Sequence, residues 1–215
     1  MATKVLIVDD HPAVREGLAV RIASQPDLEV CGQAADTAEA VKLLDVVRPD
    51  VVIVDIQLET GNGLDLVERI KSRDESIGIL VWSMYPDAIY AQRALHAGAL
   101  GYINKRQATS RIVEAIRRVR EGKIFLCEDT AEQLLGSLVG RGKRLKASGV
   151  ESLSDREMEV FRLVGQGLTT SQIARRLHRS VNTVESHRAK IKGKLALKTA
   201  GELNRAAVQW MLDNG

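Results

Sequence analysis

Cysteine is scarce in this sequence, which contains only Cys31 and Cys127, far apart in the chain. Small extracellular domains that depend on disulfides carry more cysteines at closer spacing, and cysteine-ligated metal sites usually combine several ligands. Two isolated cysteines therefore predict neither a disulfide framework nor a metal site of that kind.

Long apolar runs are also missing. No stretch approaches the roughly 18–20 apolar residues that cross a bilayer, and Asp9 and Asp10 follow the first apolar run too early for a secretory signal. The sequence has no internal repeat and no low-complexity tract. An apolar content of 45% and a charged content of 27% are those of a soluble globular protein. We therefore expect a cytoplasmic location and no membrane partner.

The net charge of +3 is unevenly distributed along the 215 residues. Residues 1–126 contain 16 Lys/Arg and 18 Asp/Glu, whereas residues 150–215 contain 11 and 7. The first part is therefore mildly acidic and the last part basic. This asymmetry favours a polyanion as the partner of the basic end, although a solvated basic surface explains the charge alone equally well.

Short β-branched runs alternate with helical patterns over the first 126 residues. The runs lie at 4–8, 28–32, 51–54, 77–82 and 100–103, and the helical patterns at 12–24, 37–47, 63–72, 87–97 and 108–121. Strands separated by helix-length segments indicate βαβ units. The run VVIV before Asp55 is apolar throughout, as expected for a central parallel strand. We predict an α/β doubly wound five-stranded parallel sheet, with its ligand site beyond the carboxyl ends of the strands.

The pattern changes after about residue 122. Residues 128–139 have a helical pattern, and GRGKRLKASG (140–149) has the composition of a flexible linker. Three capping boxes then place helix starts near 155, 170 and 200. They pair Ser154 with Glu157, Thr169 with Gln172 and Thr199 with Glu202. With a fourth helix at about 181–195, the predicted parts are a domain at 1–122, a linker at 123–149 and a small all-α four-helix domain at 150–215.

Chemically reactive side chains follow four of the five predicted strands. They are Asp9 and Asp10 after the first strand, Asp55 after the third, Ser83 after the fourth and Lys105 after the fifth. Carboxylates hold a hard cation such as Mg²⁺, which together with Lys105 would neutralise an incoming phosphoryl group. One carboxylate would remain as the nucleophile that forms an acyl phosphate. Each residue alone has a plain explanation, such as a helix cap or a surface lysine, but together they predict a phosphoryl-accepting pocket.

Four motifs resemble the receiver domain of two-component response regulators over about residues 3–121. They are VLIVDDHPAVREGL, VVIVDI, the Ser83 position and GYINK. The resemblance implies a flavodoxin-like fold, Asp55 as phosphoacceptor, and Mg²⁺ held by Asp9, Asp10, Asp55 and the backbone carbonyl of Gln57. It also implies that Ser83 and Lys105 bind the phosphoryl group and that Tyr102 is an aromatic switch whose rotamer follows Ser83.

Two positions depart from the family pattern, and two others flank the mouth of the pocket. Glu59 stands where many receivers have proline, and Met84 stands where many have a small residue. Neither carries a reactive group of the pocket. Gln57 offers a neutral amide and Tyr85 a bulky ring at the mouth, from which we expect slow loss of the phosphoryl group.

The helix at 181–195 has two contrasting faces at about 100° per residue. Val184, Ile191 and Leu195 share a core-facing stripe, with Arg188 at its border. Small side chains lie on the opposite face, where they permit close approach to a major groove about 12 Å wide. The predicted DNA contacts are Asn182, Thr183, Glu185, Ser186, Arg188, Ala189, Lys190, Lys192 and Lys194. The lysines suit phosphates, whereas Asn182, Glu185 and Ser186 suit base edges, with Glu185 accepting from cytosine N4.

The segment from LSDREMEVF to HRAKIKGKL resembles the LuxR-type helix-turn-helix domain over about residues 150–213. A receiver joined to such a domain is similar to the NarL/FixJ class of response regulators. The resemblance implies phosphorylation-dependent transcription regulation, without enzyme activity beyond self-phosphorylation from phosphodonors and self-dephosphorylation. The implied partners are promoter DNA, a sensor histidine kinase, a second copy on DNA and RNA polymerase. Half-sites of such dimers lie about one DNA turn apart.

Two other functions fit part of the sequence. An aspartate-nucleophile phosphohydrolase shares the acyl-phosphate chemistry, but such enzymes carry a second carboxylate two residues after the nucleophile, where this sequence has Gln57. A DNA-binding regulator with a phosphorylation-independent receiver would not need the complete acidic set. The first alternative leaves the helical domain unexplained, and the second leaves the pocket unexplained.

Overall fold

A computed structural model describes residues 2–58, 60–84, 87–105, 111–139 and 149–214. The chain divides into two compact units, residues 1–136 and 137–215. Within the described residues, no helix combines the length and the apolarity that a membrane span requires.

The first unit contains a five-stranded sheet in the order β2-β1-β3-β4-β5. Its strands are β1 (Thr3–Val8), β2 (Leu28–Ala34), β3 (Val51–Val54), β4 (Gly78–Ser83) and β5 (Gly101–Asn104). All neighbouring strands pair in parallel, and every residue of β3 is buried. Burial on both faces explains why this strand is apolar throughout. The predicted doubly wound parallel sheet is confirmed.

Helices α1 (Pro12–Ala23), α2 (Thr37–Val47), α3 (Gly63–Arg73) and α4 (Asp87–His96) each connect one strand to the next. Helices α5 (Ile112–Arg120) and α6 (Glu128–Val139) follow β5. Leu18 and Ile22 of α1 and Ile112 and Ile116 of α5 belong to one buried cluster with Ile53 of β3. The strand order reverses between β1 and β3, and ligands bind such sheets beyond the strand ends at that crevice.

The loop after β3 is shaped by a close backbone approach. A Cβ atom on Gly63 would lie 2.0 Å from the backbone oxygen of Asp55, a distance that no side chain tolerates. The Asn62 side chain accepts a hydrogen bond from the Leu64 backbone N–H at 2.8 Å and so caps α3. Glycine at position 63 therefore lets the start of α3 pass directly against Asp55.

The second unit is helical. After a short 3-10 helix (Val150–Ser152), its helices are α7 (Asp155–Gly165), α8 (Thr170–Arg176), α9 (Val181–Lys194) and α10 (Ala200–Asn214). The predicted capping boxes at Ser154 and Thr169 both form. Phe161 of α7 meets Trp210 of α10 edge to face, with 6.1 Å between ring centroids, an arrangement that aromatic pairs prefer. The predicted four-helix domain is confirmed.

Several predicted boundaries differ from the structure. β2 continues to Ala34 because its pairing with β1 extends to Val8. Helix α5 is Ile112–Arg120, and its predicted start at residue 108 falls outside the described residues. At the third capping box, Thr199 accepts from the Glu202 N–H at 3.1 Å, but the Glu202 carboxylate reaches one residue further back, to the Lys198 N–H. Residues 106–110, and residues 140–148 of the predicted linker at 123–149, lie outside the described residues.

Candidate functional site

The carboxyl ends of four strands bring the predicted pocket residues together. Asp55 follows β3 and its N–H donates to the Val8 carbonyl of β1 at 2.9 Å, while the Lys105 N–H, after β5, donates to the Ser83 carbonyl of β4 at 2.8 Å. These backbone hydrogen bonds continue the sheet pairing past the strand ends, so the side chains that follow the strands lie at one edge. The convergence predicted from the sequence is therefore present.

Lys105 bridges two buried carboxylates at this edge. Its Nζ atom lies 2.5 Å from Asp9 Oδ2 and 2.7 Å from Asp55 Oδ2. Burial raises the pKa of the Asp55 carboxyl, and the adjacent Lys105 ammonium limits that rise. Burial alone would lower the pKa of Lys105, but Asp55 and then Asp9 outweigh it and raise that pKa. The lysine is therefore a fixed positive charge inside the pocket.

His11 belongs to this site although the sequence analysis did not include it. Its Nδ1 atom lies 2.5 Å from Asp10 Oδ1 and 3.3 Å from Asp9 Oδ1. One potential metal-ligand atom from each of Asp9, Asp10, His11 and Asp55 lies within 4.8 Å of the others. The available signal was the position of His11 directly after an acidic pair at a strand end.

The other residues predicted for the pocket differ in burial and in their contacts. The Gln57 N–H donates to Asp55 Oδ1 at 3.2 Å, which turns the chain back over the carboxylate. Ser83 and Tyr102 are both fully buried. Within the described part of the chain, the Ser83 hydroxyl oxygen has no hydrogen-bond partner. Met84 is 49% exposed, so its bulk lies toward solvent. Glu59 and Tyr85 lie outside the described residues.

The second unit places α8 and α9 as the predicted helix-turn-helix pair. Val184 and Ile191 of α9 are completely buried, which agrees with the predicted core-facing stripe. The opposite stripe is exposed and contains Asn182, Ser186, Ala189 and Gly193. The Ser180 side chain caps α9 by accepting from the Thr183 N–H at 3.1 Å. The helix therefore presents a face of small side chains to solvent.

Four charged residues of α9 have different environments. Lys190 is exposed and Lys192 is half-buried. The Lys194 side chain is 40% exposed, and its ammonium pairs within the unit, 2.6 Å from Glu157 Oε2 and 3.0 Å from the Ser152 carbonyl. The Arg188 side chain is only 11% exposed, with its Nε atom 3.9 Å from Glu185. The DNA contacts of α9 stay predictions, and the Arg188 and Lys194 side chains already have partners within the unit.

Glu185 is fixed from outside its own helix. Its Oε1 atom accepts a hydrogen bond from the Thr170 hydroxyl of α8 at 2.7 Å, and its side chain is 57% exposed. The sequence analysis identified Glu185 but not Thr170. A contact between two helices depends on their packing, which the sequence pattern does not specify.

Two family models match the chain in the order of its two units. Residues 5–117 match the response regulator receiver domain, and residues 151–207 match the bacterial regulatory proteins of the luxR family. The chain therefore belongs to the two-component response regulators. Within them, a receiver followed by a LuxR-type domain defines the NarL/FixJ class, as the sequence predicted.

Similar proteins cover nearly the whole response regulator. It is 33% identical to the DNA-binding transcriptional activator DevR/DosR of Mycobacterium tuberculosis over 195 residues, 91% of this chain and 89% of the relative. It is 34% identical to the transcriptional regulatory protein LiaR of Bacillus subtilis over 192 residues, 89% and 90% of the two chains. A structure of RcsB from Salmonella enterica serovar Typhimurium, bound to promoter DNA with the phosphomimetic BeF3−, has a TM-score of 0.69 at 25% identity and covers 96% of this chain and 98% of RcsB.

Proposed function

We propose that phosphorylation of Asp55 controls DNA binding by α9 in this response regulator. The observation that carries the proposal is the position of Lys105, which contacts Asp9 and Asp55 at 2.5 and 2.7 Å. Ser83, whose backbone carbonyl accepts from the Lys105 N–H at 2.8 Å, has a buried hydroxyl without a hydrogen-bond partner among the described residues. A nucleophile, a cation and an available donor are the groups that phosphoryl transfer to a carboxylate requires.

The transfer follows from these positions. An oxygen of Asp55 attacks the phosphorus of the donor, and the bond from phosphorus to the donor's nitrogen or oxygen breaks, with its electron pair leaving on the donor. Lys105 then pairs with a phosphoryl oxygen in place of the Asp55 oxygen that it contacts now. The Ser83 hydroxyl donates a hydrogen bond to a second phosphoryl oxygen. This new hydrogen bond would relieve the cost of a buried hydroxyl without a partner.

The acidic cluster fits Mg²⁺. Three of its four ligand atoms are carboxylate oxygens within 4.8 Å of one another, and Mg²⁺ prefers oxygen ligands. Asp9, Asp10 and Asp55 with the Gln57 carbonyl would hold the ion, which when bound supplies positive charge to the phosphoryl oxygens. The protein itself holds the nucleophile in place through the Gln57 N–H and excludes water by burying Asp9 and Asp55.

DNA binding is supported by the exposed face of α9. Small side chains on the outer face of a helix let it approach the bases of the major groove closely. Ala189 and Gly193 on that face of α9 are both exposed. The basic charge of residues 150–215 favours phosphates. The RcsB structure on promoter DNA with a phosphomimetic supports the same coupling here by analogy.

The partners follow from this function. A sensor histidine kinase would donate the phosphoryl group, and small phosphodonors would replace it through self-phosphorylation, with self-dephosphorylation returning Asp55 to its free state. Two copies would place two α9 helices in successive major grooves, and RNA polymerase would be the target of a DNA-bound dimer. A DNA-binding regulator acts in the cytoplasm of a bacterium.

DNA binding with and without a phosphodonor tests the proposal. We expect acetyl phosphate with Mg²⁺ to tighten binding of the full chain to a selected promoter fragment, and the Asp55→Asn variant to show no response. Fluorescence anisotropy on labelled DNA measures both. Equal binding by treated and untreated parent protein would favour the phosphorylation-independent receiver instead. Rapid release of inorganic phosphate from many equivalents of donor would favour the phosphohydrolase.

A further inference from the structure

The placement of Glu185 on a DNA-reading face raises an electrostatic problem. Its carboxylate is 57% exposed on a helix that would approach a polyanion. Like charges repel, so an acidic side chain there weakens binding unless it meets a hydrogen-bond donor or a cation. Arg188 offsets part of the charge, with its Nε atom 3.9 Å from Glu185 Oε1. This contact and the hydrogen bond from Thr170 are both to Oε1.

The donors available to a carboxylate in the major groove are few. Only cytosine N4 and adenine N6 present amino groups there, and a carboxylate cannot donate in return. In adenine the amino group stands beside the N7 acceptor, which would repel the carboxylate. In cytosine the neighbouring position is a C–H group. Glu185 therefore discriminates in favour of cytosine, provided that the carboxylate is held in one orientation.

Thr170 supplies that orientation. Its hydroxyl donates to Glu185 Oε1 at 2.7 Å, and this is the contact that joins Glu185 to the first residue of α8. A long, exposed side chain otherwise samples several rotamers, and fixing it costs conformational entropy when the DNA binds. The hydrogen bond from Thr170 orders the Glu185 side chain before the DNA binds, so this entropy is not lost on binding. Because Oε1 accepts that hydrogen bond, Oε2 is the oxygen that faces a base.

Neighbouring residues of α9 do not duplicate this contact. The Ser186 hydroxyl donates a hydrogen bond to the Asn182 carbonyl within the helix at 3.0 Å, so it cannot donate to a base at the same time. The Asn182 side chain precedes Glu185 by three residues, about 4.5 Å along the helix axis. An amide suits adenine through N6 and N7. The two side chains would therefore read nearby base pairs with different preferences.

We propose that Thr170 is a positioning residue that holds Glu185 to read one cytosine in each half-site. This proposal rests on the proposed DNA-binding function of α9 and adds the base that the protein selects and the residue that enforces the selection. Thr170 itself does not contact the base. Its hydroxyl acts only through the Glu185 carboxylate.

The test is selection from a random-sequence DNA library with the full-length chain, treated with acetyl phosphate and Mg²⁺. The parent should enrich a site with one near-invariant C·G pair in each half-site. Glu185→Gln should change that position toward adenine, because glutamine is bidentate to N6 and N7. Thr170→Val, which replaces the hydroxyl with a methyl group of similar size, should relax the cytosine preference by roughly tenfold. Thr170→Ser, which keeps the hydroxyl, should restore it.

Affinity for a duplex that lacks the selected site separates positioning from stability. Thr170→Val should bind this duplex as the parent does, since its phosphate contacts are unchanged. If Thr170→Val weakened binding to all duplexes equally, or if Glu185→Gln kept the parent's preferred site, the positioning role would be wrong. Failure of the parent to enrich any sequence would overturn the DNA-reading role of α9, and with it this proposal.

Discussion

Lys105 and Asp55 form a buried ion pair, with 2.7 Å between Nζ and Oδ2 and side-chain exposures of 8% and 5%. Little water screens this pair, so its attraction is stronger than that of a surface pair. The same ammonium also holds Asp9. Before phosphorylation, the Lys105 ammonium is therefore the counter-ion of the Asp9 and Asp55 carboxylates.

Replacing Lys105 by methionine should strengthen Mg²⁺ binding. Lys105 competes with an added cation for Asp9 and Asp55, so its loss leaves both carboxylates without the ammonium that they share. We expect the affinity for Mg²⁺ to rise at least threefold, about 0.7 kcal/mol, and the Mg²⁺-free variant to be less stable than the parent. Isothermal titration with MgCl2 measures the first effect. The matched control is Lys123→Met, because the Lys123 side chain is 59% exposed and pairs with Glu121. Unchanged or weaker Mg²⁺ binding by Lys105→Met would show that the lysine does not compete with the cation.

Asp55→Asn should abolish phosphorylation. Asp55 is the carboxylate that contacts both Lys105 and the Gln57 N–H, and an amide is not a nucleophile at this step. Intact-mass spectrometry after acetyl phosphate with Mg²⁺ should show a gain of about 80 Da, one PO3H unit, in the parent and none in the variant. Asp45→Asn, at a carboxylate that is 62% exposed, should be labelled like the parent. Full labelling of Asp55→Asn would mean that another residue is the phosphoacceptor.

The fold and most of the pocket were predictable because their signals are local. The apolar run of β3 and the residues after each strand fix which side chains meet at the sheet edge, and Lys105 and Asp55 do meet there. The positions of Thr170 against Glu185 and of Lys194 against Glu157 were not predictable. These contacts join different helices, and their existence depends on helix packing angles that hydrophobic periodicity leaves open.

His11 should favour transition metals over Mg²⁺ in the acidic cluster. Its imidazole nitrogen lies with three carboxylates within 4.8 Å, and first-row transition metals accept nitrogen ligands more readily than Mg²⁺ does. We expect His11→Ala to lower the affinity for Co²⁺ several-fold and to leave Mg²⁺ binding unchanged or slightly tighter, because Asp10 loses its partner. Visible absorption of bound Co²⁺ and competition by Mg²⁺ measure the two affinities. His96→Ala, on α4, is the control. An equal loss for both metals would argue against a ligand role for His11.

Two lysines of α9 should differ in their effect on the salt dependence of DNA binding. Lys190 is exposed, so it can pair with a DNA phosphate and displace the counterions bound there. The Lys194 ammonium instead lies 2.6 Å from Glu157 Oε2. Lys190→Ala should reduce the slope of log K against log salt by about 0.9. Lys194→Ala removes the same charge and should leave the slope near that of the parent. Anisotropy titrations at several KCl concentrations give both slopes. Equal reductions in the two variants would show that Lys194 leaves Glu157 and contacts a phosphate.

The pair of Glu157 and Lys194 should make the stability of the second unit depend on pH. Burial would raise the pKa of Glu157, but the Lys194 ammonium and the Ser154 backbone N–H outweigh it and hold that pKa below its usual value. The folded state therefore releases this proton more readily than the unfolded state, whose glutamate pKa is about 4.3. The stabilisation is complete above that value and is lost as pH falls through the lower folded pKa.

Glu157→Gln isolates the charge, because glutamine can keep the hydrogen bond from the Ser154 N–H that closes the capping box. We expect the variant to lose about 1–2 kcal/mol of unfolding free energy at pH 7, since a hydrogen bond to a charged group is lost, and the difference to shrink toward zero at acid pH. Trp210 packs on Phe161 in this unit, so its fluorescence in a Trp82→Phe background follows urea unfolding of the full chain. Glu159→Gln, whose partner is Arg156 of its own helix, should cost less than about 0.5 kcal/mol, as a partly exposed pair does. A Glu157→Gln difference that stayed constant between pH 7 and acid pH would contradict the ion pair as its cause.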